Sequence, residues 1–587
     1  MYTKVTNQID INNIDIKQYW KNTEITKKSK KQDKDVLNGG GNNKQHDFPY
    51  KRIRFTDDDI HEMMSNLRKY NYQDRLIILE KDYKIFNLSY GFNPFELVFL
   101  CKGKRNPTIL INKDSDYIKW NKISDMFNED CRMRCKWFSA ELSPMDYWNK
   151  YYDKIVNVAK KHKNSNHGRV GVDIKTPEGA HNLRETLYHM MKKKECTSFR
   201  PNNLVAIAQM FGSRKILDPS AGWGDRLAGA ISLDLNNGLD YYCGIDPNPC
   251  VHRGYNEMIK FFGVNPKKYM LIESPFEDAK LPSRKKFDLI FTSPPYFDTE
   301  DYDPHNKNGV RNQSLTRYGS EKKWFENFLM VSLTKAWKVL ESDGHMVIVI
   351  NQRDRRQTYV KDMVMAVNTD IKDVFKNAKY MGVISYANEK IKNPQPMFIW
   401  EKTKRGQYPI PKPFVASKRL YLRKFDIKDV VQLAPIMDKK DDNDIFFSKN
   451  KYISNFENVY NQISKFINKD ESMYPVIIKK PISSWKTSKI KLSDKLIGYV
   501  GSYEGKWMKH PYLRDKDLTR ILIDSKYQGK GYGSEIYTAF IKWFGKRLYA
   551  MISVENDVSI KFHLKLGFKF HRFIYFHKKK YSMYYVN

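Results

Sequence analysis

Two clusters of residues in this sequence have the types and spacing for group transfer. The first is Asp218-Pro219-Ser220-Ala221-Gly222-Trp223-Gly224-Asp225-Arg226, followed further on by Ser293-Pro294-Pro295-Tyr296. An exocyclic amino group on a nucleobase is a poor nucleophile, because its lone pair is delocalised into the ring. A side-chain oxygen and a backbone carbonyl that accept its two N–H bonds draw that lone pair out of conjugation. Ser293 and the backbone beside it offer such a pair, and Pro294 and Pro295, which lack N–H groups, stiffen it. Tyr296 offers a ring face for an extruded base. Transfer of a methyl group from a sulfonium neutralises the donor, so no strong base is needed before attack. The second cluster is Gln528-Gly529-Lys530-Gly531-Tyr532-Gly533. A glycine-rich turn entering a helix exposes backbone N–H groups to an anion, and the helix dipole adds to the effect. The pyrophosphate of coenzyme A fits a nest of that kind.

These residues need particular elements to place them. Strand and helix patterns alternate over residues 165–405, which predicts a doubly wound α/β sheet that binds ligands at the carboxyl ends of its strands. A strand at 215–217 runs into the Asp218 loop, where Gly222 and Gly224 let the backbone turn and approach a ligand. The next helix buries Leu227, Ile231 and Leu235. A strand at 241–245 ends at Asp246, whose carboxylate can accept two hydrogen bonds from a ribose diol. The loop Glu273-Ser274-Pro275-Phe276 is placed to meet an adenine. A strand at 287–291 ends at Ser293. A helix at 321–340, a strand at 345–350 and a strand pair within 380–400 complete the sheet. Asp225 and Arg226 read as a helix cap and a local ion pair. His305, Lys307 and Arg311 read as a polar loop, solvated or phosphate-holding.

Downstream, Pro411-Lys412-Pro413 marks a linker over 406–417, and a second α/β unit fills 418–587. Its first strand is expected at 420–425, with a charged loop at 438–450. A strand at 521–523 ends at Asp524, and the helix after the glycines carries Ile536, Phe540 and Phe544. Upstream, residues 1–48 are polar and basic and read as a disordered tail. Residues 49–164 are richer in apolar and aromatic side chains, with strands expected at 76–79 and 97–100 and a helix at 148–161. They form an α+β extension, either a substrate-reading module or a structural addition to the next unit.

The 587 residues carry a net charge of +36, from 103 Lys and Arg against 67 Asp and Glu. Such a charge attracts polyanions, although a composition this rich in Lys, Asn, Ile and Tyr generates it without any partner. Six scattered cysteines point to a reducing compartment. Cys131 and Cys135 lack the second ligand pair of a zinc site, so no metal is expected. No apolar run is long enough to cross a membrane and no signal-peptide core is present, which leads to the expectation of a soluble, intracellular protein with no membrane partner.

With these residues in view, residues 199–402 resemble the amino-methyltransferases of DNA, above all those of phage type, which would also admit a virus-encoded source. The matching residues are Asp218-Pro219-Ser220-Ala221-Gly222-Trp223-Gly224, Gly244-Ile245-Asp246, Thr292-Ser293-Pro294-Pro295-Tyr296-Phe297, Gln313-Ser314 with Tyr318, the Trp324 helix and Pro394-Gln395-Pro396-Met397-Phe398. Upstream, Cys196-Thr197-Ser198-Phe199-Arg200-Pro201 stands where the family has a donor-side motif. The resemblance implies a Rossmann-like sheet and S-adenosylmethionine as cofactor. It places the donor on Phe199, Asp218, Ser220, Ala221, Gly222, Gly224 and Asp246, and the chemistry on Ser293, Pro294, Pro295 and Tyr296. The catalytic motif opens with Ser in place of Asp, which leaves adenine N6 and cytosine N4 both open.

Residues 418–580 resemble the GNAT acetyltransferases. The resemblance rests on the glycine turn, Ser553-Val554-Glu555-Asn556, Ser559 and Lys565-Leu566-Gly567-Phe568. It implies acetyl-CoA, held by Gln528, Gly529, Lys530, Gly531, Tyr532, Gly533 and Asn556, and an amine acceptor. His563 stands where the family often has a tyrosine that protonates the leaving thiolate; it reads either as that acid or as a neutral surface residue. The combined expectation is a bifunctional enzyme acting on nucleic acid, DNA ahead of RNA. The rivals are methylation of RNA or protein, and a basic nucleic-acid-binding protein with degenerate transferase folds.

Overall fold

The computed structural model describes residues 46–78, 107–112, 120, 122–161, 171–192, 195–282, 285–302, 312–351, 357–370, 374–388, 395–404, 410–437, 455–469, 472–479 and 494–587. The tail through residue 45, the strand expected at 97–100, the loop with His305, Lys307 and Arg311, and the charged loop at 438–450 lie outside them.

Eleven strands lie in the first two-thirds of the described chain. They are β1 (Leu76–Ile78), β2 (Pro107–Asn112), β3 (Lys136–Trp137), β4 (Lys215–Asp218), β5 (Tyr241–Asp246), β6 (Tyr269–Glu273), β7 (Phe287–Thr292), β8 (Glu300–Asp301), β9 (Leu340–Val349), β10 (Ala378–Asn388) and β11 (Gln395–Lys402). Nine of them form one sheet in the order β1-β2-β10-β11-β9-β7-β4-β5-β6. The run β9-β7-β4-β5-β6 is parallel throughout. β11 is antiparallel to both of its neighbours, and β2 is parallel to β10. The segment upstream of residue 164 therefore adds two strands to the edge of the sheet.

Helices cover both faces. One face is closed by α1 (Asp57–Arg68), α2 (Asp125–Arg134), α5 (Pro201–Phe211), α6 (Asp225–Leu235) and α7 (Pro249–Phe261), with α3 (Pro144–Lys161) and α4 (Pro177–Met191) packed beside them. The other face is closed by α8 (Met330–Val339) and α9 (Tyr359–Thr369). The pleat explains the division: in β9, Met346 and Ile348 enter one core while Val347 and Val349 enter the other, as alternating side chains must. Strands apolar on both faces are what a sheet covered on both sides requires.

Helix bounds follow local capping. α3 starts four residues before the expected 148. Ser143 Oγ accepts the Asp146 N–H at 3.1 Å and the Asp146 carboxylate accepts the Ser143 N–H at 3.3 Å, a capping box. The end of the expected tail is corrected as well. Phe48 is buried with its ring against Trp148, and Trp148 Nε1 donates to the Asp47 carbonyl at 3.0 Å.

The second sheet holds β12 (Val415–Ala416), β13 (Leu420–Leu422), β14 (Met473–Ile478), β15 (Leu496–Glu504), β16 (Asp517–Ile523), β17 (Leu548–Ser553), β18 (Lys569–Phe576) and β19 (Lys579–Val586). Their order is β12-β13-β14-β15-β16-β17-β19-β18. The strand expected at 420–425 stops at Leu422, because Arg423 turns inward to a buried, two-pronged pair with Asp429 at 2.7 Å. The expected linker already contributes β12, which pairs with β13. The helices of this part are α10 (Val430–Met437), α11 (Asn455–Lys469), α12 (Tyr532–Phe544) and α13 (Asp557–Lys565).

The two units, each with its own sheet, pack against each other. Val430, Leu433, Tyr460 and Ile463 share one core with Met363, Val364 and Val367. Lys361 Nζ meets the Glu457 carboxylate at 2.9 Å in that core. Asn368 bridges Trp400 Nε1 at 2.7 Å and the Tyr460 hydroxyl at 3.0 Å. Among the described residues no helix is long and apolar enough to cross a membrane.

Candidate active sites

The strand order reverses between β4 and β7, and the loops after those strands open a crevice there, the usual place for a ligand in an α/β sheet. A cavity of about 470 Å³ fills it, lined by Phe199, Ser220, Ala221, Gly222, Asp246 and the whole of Ser293-Pro294-Pro295-Tyr296. Residues from four separate loops thus meet in one space.

The floor is built by hydrogen bonds among the loops. Ala221 N–H continues the sheet by donating to the Ile245 carbonyl at 2.9 Å. Gly222, at φ +63, donates its N–H to Asp246 Oδ2 at 2.9 Å, and Asn248 N–H reaches Asp246 Oδ1 at 2.9 Å. Burial pushes the Asp246 carboxyl up to about 6, against the pull of these two N–H groups. Tyr296 shares a hydrogen bond with Ser293, and burial raises its hydroxyl to about 12. Of the adenine loop, Pro275 and Phe276 line the cavity, while Glu273 is exposed outside it.

Two expected ligand contacts are corrected. Asp218 is fully buried beneath the loop, where its Oδ2 accepts from Arg226 Nε at 2.7 Å and from the Tyr242 hydroxyl at 2.8 Å. It fixes the loop and does not line the cavity. Gly224, at φ +91, faces the other way: a Cβ there would stand 3.2 Å from Asn128 Nδ2 and 3.3 Å from Tyr255. Its lack of a side chain admits α2 and α7. Arg226 pairs with Asp218 across the loop and its guanidinium lies 4.9 Å over the Phe199 ring, whereas the expected cap is corrected: Gly224 stands at the N-cap of α6 and Asp225 accepts the Ser124 hydroxyl.

Trp137, Glu300, Tyr302 and Tyr386 also line the cavity and carry no local signal. The pairing of β3 with β8 delivers the first three. Glu300 accepts the Thr197 N–H at 3.0 Å and burial raises its carboxyl. Two carboxylate oxygens at the wall, Asp225 Oδ2 and Glu277 Oε2, are buried with no protein donor.

Helix α2 braces this site from behind. Asn128 Nδ2 donates to the Trp223 carbonyl at 3.1 Å. Cys131 and Cys135, one turn apart, form disulfides with Cys250 and Cys196. The reading of scattered, reduced cysteines is therefore corrected, since residues far apart in the chain meet in pairs. Lys51, Arg132 and Arg184 interleave with Asp125, Glu129 and Glu195 in a charge cluster whose Arg132–Asp125 and Lys51–Asp125 contacts measure 2.6 and 2.7 Å. Despite burial, the Arg132 guanidinium and Lys51 hold the Asp125 carboxyl well below its usual range.

The second glycine turn opens α12. Gly529 and Gly531 have φ of +73 and +77, values L side chains resist. Gln528 Nε2 braces the turn on the Ile523 carbonyl at 2.8 Å, and Arg419 holds the Lys530 carbonyl at 3.1 Å and Glu535 at 2.6 Å. Arg419 also lies 4.2 Å over the Tyr532 ring. The first amides of α12, at Tyr532 and Gly533, have no intrahelical partner. Beside this turn β16 and β17 pair in parallel at one position only, Leu518 with Tyr549. Asn556 caps α13, its Oδ1 accepting the Ser559 N–H at 3.0 Å.

The surface reading of His563 is corrected. It is buried, so it is not a surface residue, and burial lowers its pKa. Its Nδ1 lies 2.7 Å from the Ser559 carbonyl, which fixes the proton on that nitrogen, and Nε2 faces the Tyr537 hydroxyl at 3.5 Å. With Nδ1–H committed to that carbonyl, a proton for a thiolate would have to sit on Nε2 as a second, charged one, which burial disfavours.

Among known proteins, residues 454–568 match the family model described as the acetyltransferase (GNAT) family. Solved structures similar to the chain include a putative GNAT-family acetyltransferase from Bordetella pertussis, at 14% identity over 30% of this chain and 98% of that one, with a TM-score of 0.24. A GNAT-family acetyltransferase from Bacillus anthracis is 20% identical over 29% and 95%, with a TM-score of 0.22. A spermidine N-acetyltransferase from Vibrio cholerae is 17% identical over 28% and 92%, also at 0.22. No curated protein matches the chain. The glycine turn at the start of α12, α12 itself and α13 all lie within the residues that match the acetyltransferase (GNAT) family model.

Proposed function

We propose that the chain carries two group-transfer sites: an acetyltransferase that takes acetyl-CoA to an amine acceptor, and a methyltransferase that takes S-adenosylmethionine to an exocyclic amino group of a DNA base. For the first, the amides of Gly529 to Gly533 and the positive end of α12 receive the coenzyme pyrophosphate. Beyond Leu518 and Tyr549 the facing edges of β16 and β17 are not laddered to each other, which leaves backbone groups for the amides of the pantetheine arm. Acetyl-CoA, when bound, would supply an activated acetyl group: the acceptor amine would form the amide bond as the C–S bond breaks, and the proton it loses would pass to the leaving thiolate, with His563 holding α13 in place and not acting as the donor.

One observation carries the methyl-transfer reading. Asp246 and Ser293-Pro294-Pro295-Tyr296 open onto the same cavity at the reversal of strand order. Its volume of about 470 Å³ is in the range of cavities that enclose small ligands. The wall fits a cationic, amino-bearing donor, because Asp225 Oδ2 and Glu277 Oε2 lack protein partners. S-adenosylmethionine, when bound, supplies an electrophilic methyl group. Asp246 would hold its ribose hydroxyls, with Pro275 and Phe276 beside the adenine. Ser293 Oγ, oriented by Tyr296, and a carbonyl of the adjoining backbone would take the two N–H bonds of the target amine. Adenine N6 and cytosine N4 both meet these demands.

The test is nucleoside mass spectrometry of DNA and RNA incubated with the protein and S-adenosylmethionine, beside a Ser293→Ala control. A methylated base in DNA that disappears in the control is the expected result. A methylated base in RNA alone moves the substrate to RNA, and no transfer to either overturns the reading. Thiol release from acetyl-CoA with polyamines and amino-terminal peptides tests the second site.

A further inference from the structure

The second sheet ends in an edge strand that covers one face and leaves the other bare. β18 turns Ile574 and Phe576 into a small core with Met508, Leu513 and Met583. Phe573 and Tyr575 alternate to the opposite face, and a register shift between Phe570 and Arg572 brings Phe570 beside them, with the Phe570 and Phe573 rings 5.0 Å apart. Rings of this size are normally well covered, yet Phe570, Phe573 and Tyr575 are 49%, 51% and 67% exposed. Lys580 Nζ lies 4.3 Å over the Phe573 ring. Residues 558–587 contain no Asp or Glu, and Lys569, Lys578 and Lys579 are exposed on the same hairpin. His577 and Lys578, at φ 46 and 61, make its tight turn and set the lysines at the tip.

We propose that this hairpin face is a docking platform for single-stranded nucleic acid, with bases stacked on Phe570, Phe573 and Tyr575 and phosphates neutralised by the lysines. Interleaved rings and cations on a sheet are the chemistry of sequence-tolerant strand binding, since every base has a stacking face. The chain's net charge of +36 favours the same polyanion. The hairpin lies outside both candidate sites, so the inference does not rest on the methyl-transfer reading.

The test is fluorescence anisotropy of a labelled oligothymidylate of about 12 nucleotides, titrated with the full chain over a range of salt. The double variant Phe570→Ser/Phe573→Ser is expected to lose at least about tenfold in affinity with the salt slope unchanged. The triple variant Lys578→Ala/Lys579→Ala/Lys580→Ala is expected to lower the slope itself. Both keep the parent melting temperature and the parent binding of acetyl-CoA, because every substituted side chain is exposed. The proposal is overturned if both variants bind the oligonucleotide as the parent does. It is also overturned if the aromatic variant changes only the sedimentation coefficient, which assigns the face to a second copy, or only the binding of phosphatidylserine vesicles, which assigns it to a membrane.

Discussion

Asp246 accepts the Gly222 N–H at 2.9 Å, so the acidic end of one strand holds the glycine loop of its neighbour. The same carboxylate faces the cavity. One residue therefore both shapes the loop and stands ready for a ligand. Hydrogen bonds to a charged group contribute about 1.5–3 kcal/mol each. Asp246→Ala is expected to weaken S-adenosylmethionine binding at least about tenfold by calorimetry, with no effect on acetyl-CoA binding.

The pH dependence of that binding has a definite sign. Burial raises the Asp246 carboxyl to about 6, above its value in the unfolded chain. Its contribution to stability is present in acid and is lost as pH climbs through about 6. A ligand that donates hydrogen bonds to the carboxylate opposes the shift, so its affinity rises over the same interval. Calorimetric titrations between pH 5 and 8 should show tighter binding at the alkaline end; a flat profile would remove Asp246 from the binding step.

The disulfides give a second handle. Cys131–Cys250 spans 119 residues and Cys135–Cys196 spans 61. One follows the Asp246 loop and the other precedes Thr197 and Phe199 at the cavity wall. Closing loops of such length stabilises a chain by about 4 kcal/mol each in the entropic account. Reduction is expected to lower the melting temperature and to weaken donor binding, with acetyl transfer much less affected. Equal loss at both sites would show that the clamp acts on the whole fold.

Removing a single cation from the buried cluster leaves its three carboxylates with two counter-charges, Lys51 and Arg132. Arg184 contacts Glu129 and Glu195 there. Arg184→Met is expected to cost about 3–5 kcal/mol in urea unfolding. Arg253→Met, which breaks an exposed pair with Asp130, should cost less than about 1 kcal/mol.

His563 provides the test on the acetyl side. Its N–H is bound to the Ser559 carbonyl and its pKa is lowered by burial. His563→Gln is expected to keep turnover within about threefold, with no change in the pH–rate profile, since a general acid contributes about a hundredfold or more. A hundredfold fall in turnover with acetyl-CoA affinity intact would restore it as the acid.

What the sequence determined by itself is local. Gly222, Gly529 and Gly531 mark turns because only glycine takes those φ values freely. The apolar runs at 215–217 and 287–291 mark strands because both faces are buried, so the strand ends carrying Asp246 and Ser293 could be read directly. What the tertiary structure decided is long-range. Asp218 and Gly224 sit within the loop motif, yet only packing against Tyr242, Asn128 and Tyr255 shows that they support the loop from behind. Trp137 and Glu300 reach the cavity because two short strands far apart in the chain pair there. Cys131 finds Cys250, and Lys361 finds Glu457, across about a hundred residues. Periodicity and turn chemistry act over one turn or one pleat, whereas these contacts depend on which surfaces meet once the sheets have formed.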